Sequence, residues 1–265
     1  MKVYVSADME GVAGATDWAD VERGKPGYSD LCRQMTAEVA AACRGALAAG
    51  ADQVWVQDAH DTGRNLIAAE LPPEAKLIRG WSGHPFSMVQ ELDSSFQALL
   101  MVGYHSGAGR GSHPLAHTLS GRLAAVRLNG ELASEFTLHA YAAAYHRVPV
   151  AFVSGDAALC EEASRLSPAV GTCPVTRGAG GATISVHPQM ACQQIEHGVQ
   201  AALQGDLGRY RLSLPAQFAV EVAYRDHGRA VRAAFYPGAR LTTPFCVGFD
   251  ADDYFEVLRF LSFVG

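Results

Sequence analysis

Basic residues are scarce in this chain: 21 Lys and Arg stand against 27 Asp and Glu, which leaves a net charge of −6. A nucleic-acid partner would need a basic surface, so that class is excluded. Long apolar runs are missing as well, and the short, interrupted ones cannot cross a bilayer. The opening Met1-Lys2-Val3-Tyr4-Val5 reads as a strand without the extended apolar core of a secretory signal, so a cytoplasmic protein is expected. Six cysteines (Cys32, Cys43, Cys160, Cys173, Cys192 and Cys246) form no Cys-x-x-Cys pair. That spacing excludes a zinc ribbon and gives no sign of a disulfide frame, so reduced, mostly structural thiols are expected. No internal repeat or low-complexity segment occurs. The Gly178-Ala179-Gly180-Gly181 stretch lacks the Gly-Lys-Ser/Thr ending of a phosphate-binding loop and precedes a strand, so it reads as a joint.

What is present is the balance of a well-cored protein, 49% hydrophobic and 18% charged. Four apolar runs each end in residues capable of chemistry. Lys2 to Ala7 runs into Asp8-Met9-Glu10-Gly11, and Gln53 to Gln57 into Asp58-Ala59-His60-Asp61. Ala98 to Val102 runs into Gly103-Tyr104-His105, and Pro149 to Val153 into Ser154-Gly155-Asp156. Helical patterns lie between, over Leu31 to Ala49 (stopped by Gly50) and over Glu135 to His146 (with Ser134 as N-cap). Asn129-Gly130 between apolar residues marks a hairpin leading into the Glu135 helix.

Alternating strands and helices predict an α/β fold with a mainly parallel sheet flanked by helices over residues 1–172. From residue 173 to 265 the pattern changes to a smaller α+β domain. Strands are expected over Ala182 to Val186, Gln217 to Tyr224, Val231 to Phe235 and Thr243 to Phe249, with helices over Pro188 to Leu203 and Ala251 to Phe263.

In open α/β sheets the ligand site lies beyond the carboxyl ends of the strands. That rule gathers Asp8, Glu10, His60 and His105 along one edge. Residues i and i+2 on a strand share a face, so Asp8 and Glu10 suit a bridging pair. Two imidazoles from neighbouring strand ends, closed by Glu135, would give two ions five shared ligands and leave both unsaturated, as hydrolysis requires. Each residue also has a bland reading. Asp-x-Glu is common, and a lone histidine is more often satisfied or solvated than a ligand. Asp58, Asp61 and Asp156 read as loop caps or outer partners. His84, His139, His146, His187, His197 and His227 read as structural or solvated. The coincidence of an acidic pair and two histidines at successive strand ends of one sheet favours metal.

The chain also resembles the zinc-dependent D-aminopeptidase family of the bacterial dipeptide-transport type. The resemblance rests on Ser6 to Gly14, Asp58-Ala59-His60, Pro85 to Val89, Gly103-Tyr104-His105, Ala116-His117-Thr118 and Ser134-Glu135. It implies two zinc ions per subunit, with Asp8 bridging, Glu10 and His60 completing one and His105 and Glu135 the other. It also implies that His117 is a catalytic histidine outside the ligand set. The Ser106 to Ala116 loop holds a competitor, His113. The implied activity is removal of the N-terminal residue from short, D-amino-acid-containing peptides. The implied assembly is a large homo-oligomeric ring, of which a decamer is one form, with no membrane or nucleic-acid partner. Rival readings are a metallo-amidohydrolase or L-aminopeptidase on the same site, or a non-catalytic peptide-binding protein.

Overall fold

The computed structural model describes residues 1–265. One sheet contains β1 (Lys2–Ala7), β2 (Gln53–Asp58), β3 (Ala75–Ile78), β4 (Ala98–Tyr104), β7 (Val150–Asp156), β8 (Gly171–Ala179) and β9 (Ala182–Ser185). Its order is β3-β2-β1-β4-β7-β8-β9, parallel throughout except for β9 at the edge. Parallel strands are covered on both faces, and for that reason β4 and β7 are apolar almost without a break and buried at every residue.

A second, antiparallel sheet has the order β11-β12-β10-β5-β6. It combines β5 (Leu123–Leu128) and β6 (Glu131–Leu132) with β10 (Phe218–Tyr224), β11 (Arg240–Thr243) and β12 (Cys246–Ala251). The expected α/β class is therefore present, with antiparallel structure beside it. The expected boundary at 172/173 falls inside β8, however, and the second sheet takes strands from both sides of it. β8 and β9 extend the parallel sheet, because the Gly178 to Gly181 stretch forms a tight hairpin with Gly180 at φ +65°.

Two cores lie on opposite faces of the parallel sheet. Val3, Val5, Val54, Val56, Leu100 and Val102 point toward α2 (Tyr28–Ala48) and α5 (Pro188–Gln204). Leu31, Met35, Val39, Ala42 and Ala46 recur along one side of α2 at helical spacing and are all buried. Each large member of that stripe contributes roughly 1.5–3 kcal/mol by burial. The alanine-rich end of α2 is used within the chain, since a Cβ on Gly45 would lie 2.4 Å from the Glu196 carbonyl oxygen of α5.

The opposite face presents Tyr4, Leu99, Met101 and Val153 to α3 (Glu135–Tyr145), to α7 (Tyr254–Val264) and to the second sheet. In α7, Val257, Leu258, Phe260 and Leu261 seal this core, while Phe263 stays exposed. Two expectations fail in this region. Val231 to Phe235 is no strand: it overlaps α6 (His227–Ala233), because the Asp226 side chain caps a helix by accepting from Arg229 N at 2.9 Å. Thr243 to Phe249 is broken by a turn into β11 and β12. Two further short helices, α1 (Trp18–Val21) and α4 (Ala157–Leu166), complete the fold, and all six cysteines are unpaired.

Candidate active site

β1 ends at Ala7, so Asp8 and Glu10 project from a tight turn instead of sharing a strand face. Asp8 N donates to Val102 O and Gly11 N to Gly103 O, both at 2.8 Å, which pins the turn against the end of β4. Only glycine allows this approach. A Cβ on Gly11 would sit 1.8 Å from Tyr104 O, and one on Gly103 (φ +75°) would sit 2.2 Å from Asp8 O. Because β1 lies between β2 and β4, the residues following those strands, His60 and His105, flank the turn.

Glu135 arrives from the other sheet. Asn129 and Gly130 adopt φ +52° and +87°, a left-handed pair that suits a two-residue hairpin turn, and β6 then returns the chain toward Ser134. Ser134 Oγ accepts from Thr137 N at 3.3 Å and caps α3. Glu135 is thus the first helical residue, where the helix dipole favours a carboxylate. Leu119 N donates to its Oε1 at 2.6 Å.

All five residues converge. His60 Nδ1 lies 3.3 Å from Asp8 Oδ1 and 3.0 Å from Glu10 Oε2. His105 Nε2 lies 3.4 Å from Asp8 Oδ2 and 3.3 Å from Glu135 Oε2. Three three-residue groups result, each with donor atoms within 4.8 Å of one another: Asp8–Glu10–His60 and Asp8–His105–Glu135, which are buried and share Asp8, and Glu10–His105–His117, in which His117 is half-buried. The ring nitrogens facing away are engaged by backbone carbonyls: His60 Nε2 by Val21 O at 2.8 Å and His105 Nδ1 by Ser106 O at 3.0 Å. Such contacts fix ring orientation and leave the inward nitrogens as donor atoms for a cation.

The electrostatics of the cluster are strained. Burial, and then the neighbouring Glu10, raise the Asp8 carboxyl to about 8. Burial pushes Glu10 up too, but His60, His105 and His117 outweigh it and hold Glu10 well below the usual carboxylate range. Burial works against charge on His60 and His105, yet the carboxylates around them keep both well above the ordinary imidazole value.

His117 stands at the edge of the cluster. Its ring stacks on His105 at 4.4 Å, Nδ1 donates to Leu115 O at 2.9 Å, and Nε2 lies 3.7 Å from Glu135 Oε1 and 3.9 Å from Glu10 Oε1. His117 lines the cavity over the cluster and His113 does not. His113 is buried within its loop, with Nδ1 accepting from Leu115 N at 3.3 Å.

The cavity has a volume of about 580 Å³. Trp18 and Trp81 lie in its walls, as do Pro85, Ser87 and Met88 from one of the segments that carry the resemblance. Two of its walls escaped the sequence reading. Leu258 and Leu261 of α7 reach it from the far end of the chain, where no local pattern could reveal them. His139, read as structural, is buried in the cavity wall with Nδ1 donating to Glu135 O at 2.7 Å. Its position four residues after Glu135 on a helix was the available signal. His84 also lines the cavity.

A sequence model of the D-aminopeptidase family matches residues 1–263. The chain belongs to the D-aminopeptidase family. The D-aminopeptidase of Bacillus subtilis (strain 168) is 33% identical over 263 residues, covering 98% of this chain and 94% of that protein. Among solved structures, the Zn-dependent D-aminopeptidase DppA from Bacillus subtilis, described as a self-compartmentalizing protease, superposes with a TM-score of 0.94 at 32% identity. The match covers 100% of this chain and 96% of that one. Membership in the D-aminopeptidase family makes the chain a peptide hydrolase. No helix is long and apolar enough to cross a membrane.

Proposed function

We propose that the protein is a di-zinc aminopeptidase that removes the N-terminal residue of short peptides, with a preference for D-amino acids. The observation that carries this reading is the pair of buried three-residue groups sharing Asp8. Asp8 Oδ2, Glu10 Oε2 and His105 Nε2 are buried with no hydrogen-bond partner, and this mixed oxygen and nitrogen donor set suits zinc. Asp8 would bridge the ions, Glu10 and His60 would hold one, and His105 and Glu135 the other. Zinc in these positions supplies Lewis acidity toward a scissile carbonyl and lowers the pKa of water toward neutrality.

The protein's own groups do the rest. His117, with Nδ1 donating to Leu115 O, keeps Nε2 free over the cluster to take a proton and return it to the leaving amine. The walled cavity holds the peptide's N-terminal end against the cluster. The D preference rests on family membership alone, and assembly into a homo-oligomeric ring rests on likeness to a protein described as a self-compartmentalizing protease.

Zinc content per subunit, measured with turnover of D- and L-alanyl substrates before and after chelation, tests the reading. Two zincs, loss of turnover on chelation, recovery on zinc addition and faster D-alanyl cleavage are expected. Equal or faster L-alanyl cleavage would move the assignment to an L-aminopeptidase, and no cleavage of any amide by the zinc-loaded protein would leave a peptide-binding role. Light scattering at the 28.1 kDa monomer mass would overturn the ring.

A further inference from the structure

Asp58 and Asp156 are fully buried, belong to none of the three-residue groups and do not line the cavity. They end β2 and β7, and each accepts from the chain segment behind one of the two histidines, while Asp156 Oδ1 also caps α4 by accepting from Ala158 N and Leu159 N, both at 3.0 Å. Asp156 accepts from Ser106 N through Oδ2 and from Ser106 Oγ through Oδ1 at 2.7 Å. The carbonyl of that same Ser106 accepts a hydrogen bond from His105 Nδ1 at 3.0 Å. Asp58 accepts from Asn65 N at 2.5 Å and Leu66 N at 2.7 Å through Oδ2, and from Asn65 Nδ2 at 2.8 Å through Oδ1. The same Asn65 Nδ2 donates to His60 O at 2.6 Å. Each aspartate is therefore one residue removed from a histidine, and the two histidines belong to different groups.

We propose that Asp58 and Asp156 are positioning residues that set the two metal positions separately, Asp58 through Asn65 for the His60 position and Asp156 through Ser106 for the His105 position. This rests on the two-zinc reading. The relays are unequal. Asp156 grips the residue whose carbonyl orients the His105 ring. Asp58 fixes only the His60 backbone, since that ring is oriented by Val21 O. Loss of an outer partner of this kind typically weakens metal binding by about 10–100-fold. The Asp156 relay should lie at the upper end of that range and the Asp58 relay at the lower.

The test uses the full chain and follows stepwise zinc removal by a competing chelator, with the steps assigned from His60→Ala and His105→Ala. Asp156→Asn should weaken the His105 step by roughly 100-fold and leave the His60 step alone, and Asp58→Asn should weaken the His60 step by roughly 10-fold and leave the other. Both steps moving together, or neither moving while the unfolding temperature falls, would reduce the aspartates to loop and helix caps and overturn the proposal. If either variant does not fold, Asn65→Ala cuts the link to His60 while keeping both backbone donors on Asp58. Asp156→Ser likewise retains a cap for α4 without the grip on Ser106. Should the parent protein bind no zinc, the two-zinc reading fails by itself, and hydrogen exchange of the His105 Nδ1 and His60 Nε2 protons decides the relays. Each substitution must then speed exchange at its own histidine alone, and unchanged exchange would overturn the proposal.

Discussion

Glu38 and Glu135 are both buried carboxylates on helices, and they sit at opposite ends of the titration range. Burial raises Glu38 to about 7. Burial pushes Glu135 up as well, but His105 and then His117 draw it down to about 2. Glu38 is alone under the β1 turn: Oε1 accepts from Ala13 N and Gln34 Nε2, both at 3.0 Å, and Oε2 has no partner. Glu135 shares its surroundings with two more carboxylates and the imidazoles. An isolated buried carboxyl answers desolvation by keeping its proton. Where several converge, the imidazoles draw Glu10 and Glu135 down while Asp8 stays raised, and in the reading proposed above zinc would supply the charge that ionises Asp8 as well.

The strongest way to break this comparison is at Asp8, the residue shared by the two fully buried groups. Asp8→Ala should lose both zincs and all measurable turnover, whereas His105→Ala should empty one position only. Elemental analysis finding two zincs retained in Asp8→Ala would sink the shared-ligand assignment. Unfolding should stay cooperative in both, because the two apolar cores do not depend on the cluster.

A smaller effect separates the histidines at the edge. His117→Ala should retain zinc and lose turnover by about 10²–10⁴-fold, the usual range for a general acid–base group. His113→Ala, which alters no cavity residue, should stay close to the parent rate. Steady-state kinetics with metal analysis on both variants will show a reversed order if the assignment is wrong.

The smallest effect belongs to Glu38 and concerns stability alone. Its folded-state pKa of about 7 exceeds the ordinary value of 4.5, so the folded protein holds this proton more tightly than the unfolded chain. The contribution is fully present below about pH 4.5 and is lost as pH rises through 7. Glu38→Gln removes that dependence. The stability of the variant relative to the parent should grow by about 2–3 kcal/mol between pH 4.5 and pH 8, as read by chemical denaturation. A pH-independent difference would show that folding does not raise the Glu38 pKa.

Much of this arrangement was legible in the residues because strand-end chemistry is local. β1, β2 and β4 announce themselves as apolar runs, and the rule that a ligand site lies beyond the carboxyl ends of the strands gathers Asp8, His60 and His105 along one edge. Glu135 was reachable through its N-cap and the Asn129-Gly130 hairpin. What stayed hidden was long-range. The expected strand over Val231 to Phe235 yielded to a side-chain cap at Asp226, and β8 was missed where Gly171 to Ala179 mixes polar and apolar residues. The boundary placed at 172/173 followed a change in pattern, but sheet membership follows pairing, and Val126 of β5 pairs with Val222 of β10.

That pairing has a consequence for how the molecule is made. The hairpin that delivers Glu135 belongs to a sheet whose central strand, β10, is synthesised long after it, and Leu258 and Leu261 of α7 come later still. Asp8, Glu10, His60 and His105 can assemble on the early parallel strands, yet Glu135 and the cavity wall wait for the last quarter of the chain. Contacts so distant in sequence also form slowly. A chain still lacking β10 and α7 therefore lacks both the strand that β5 of the Glu135 hairpin pairs with and the cavity wall formed by Leu258 and Leu261.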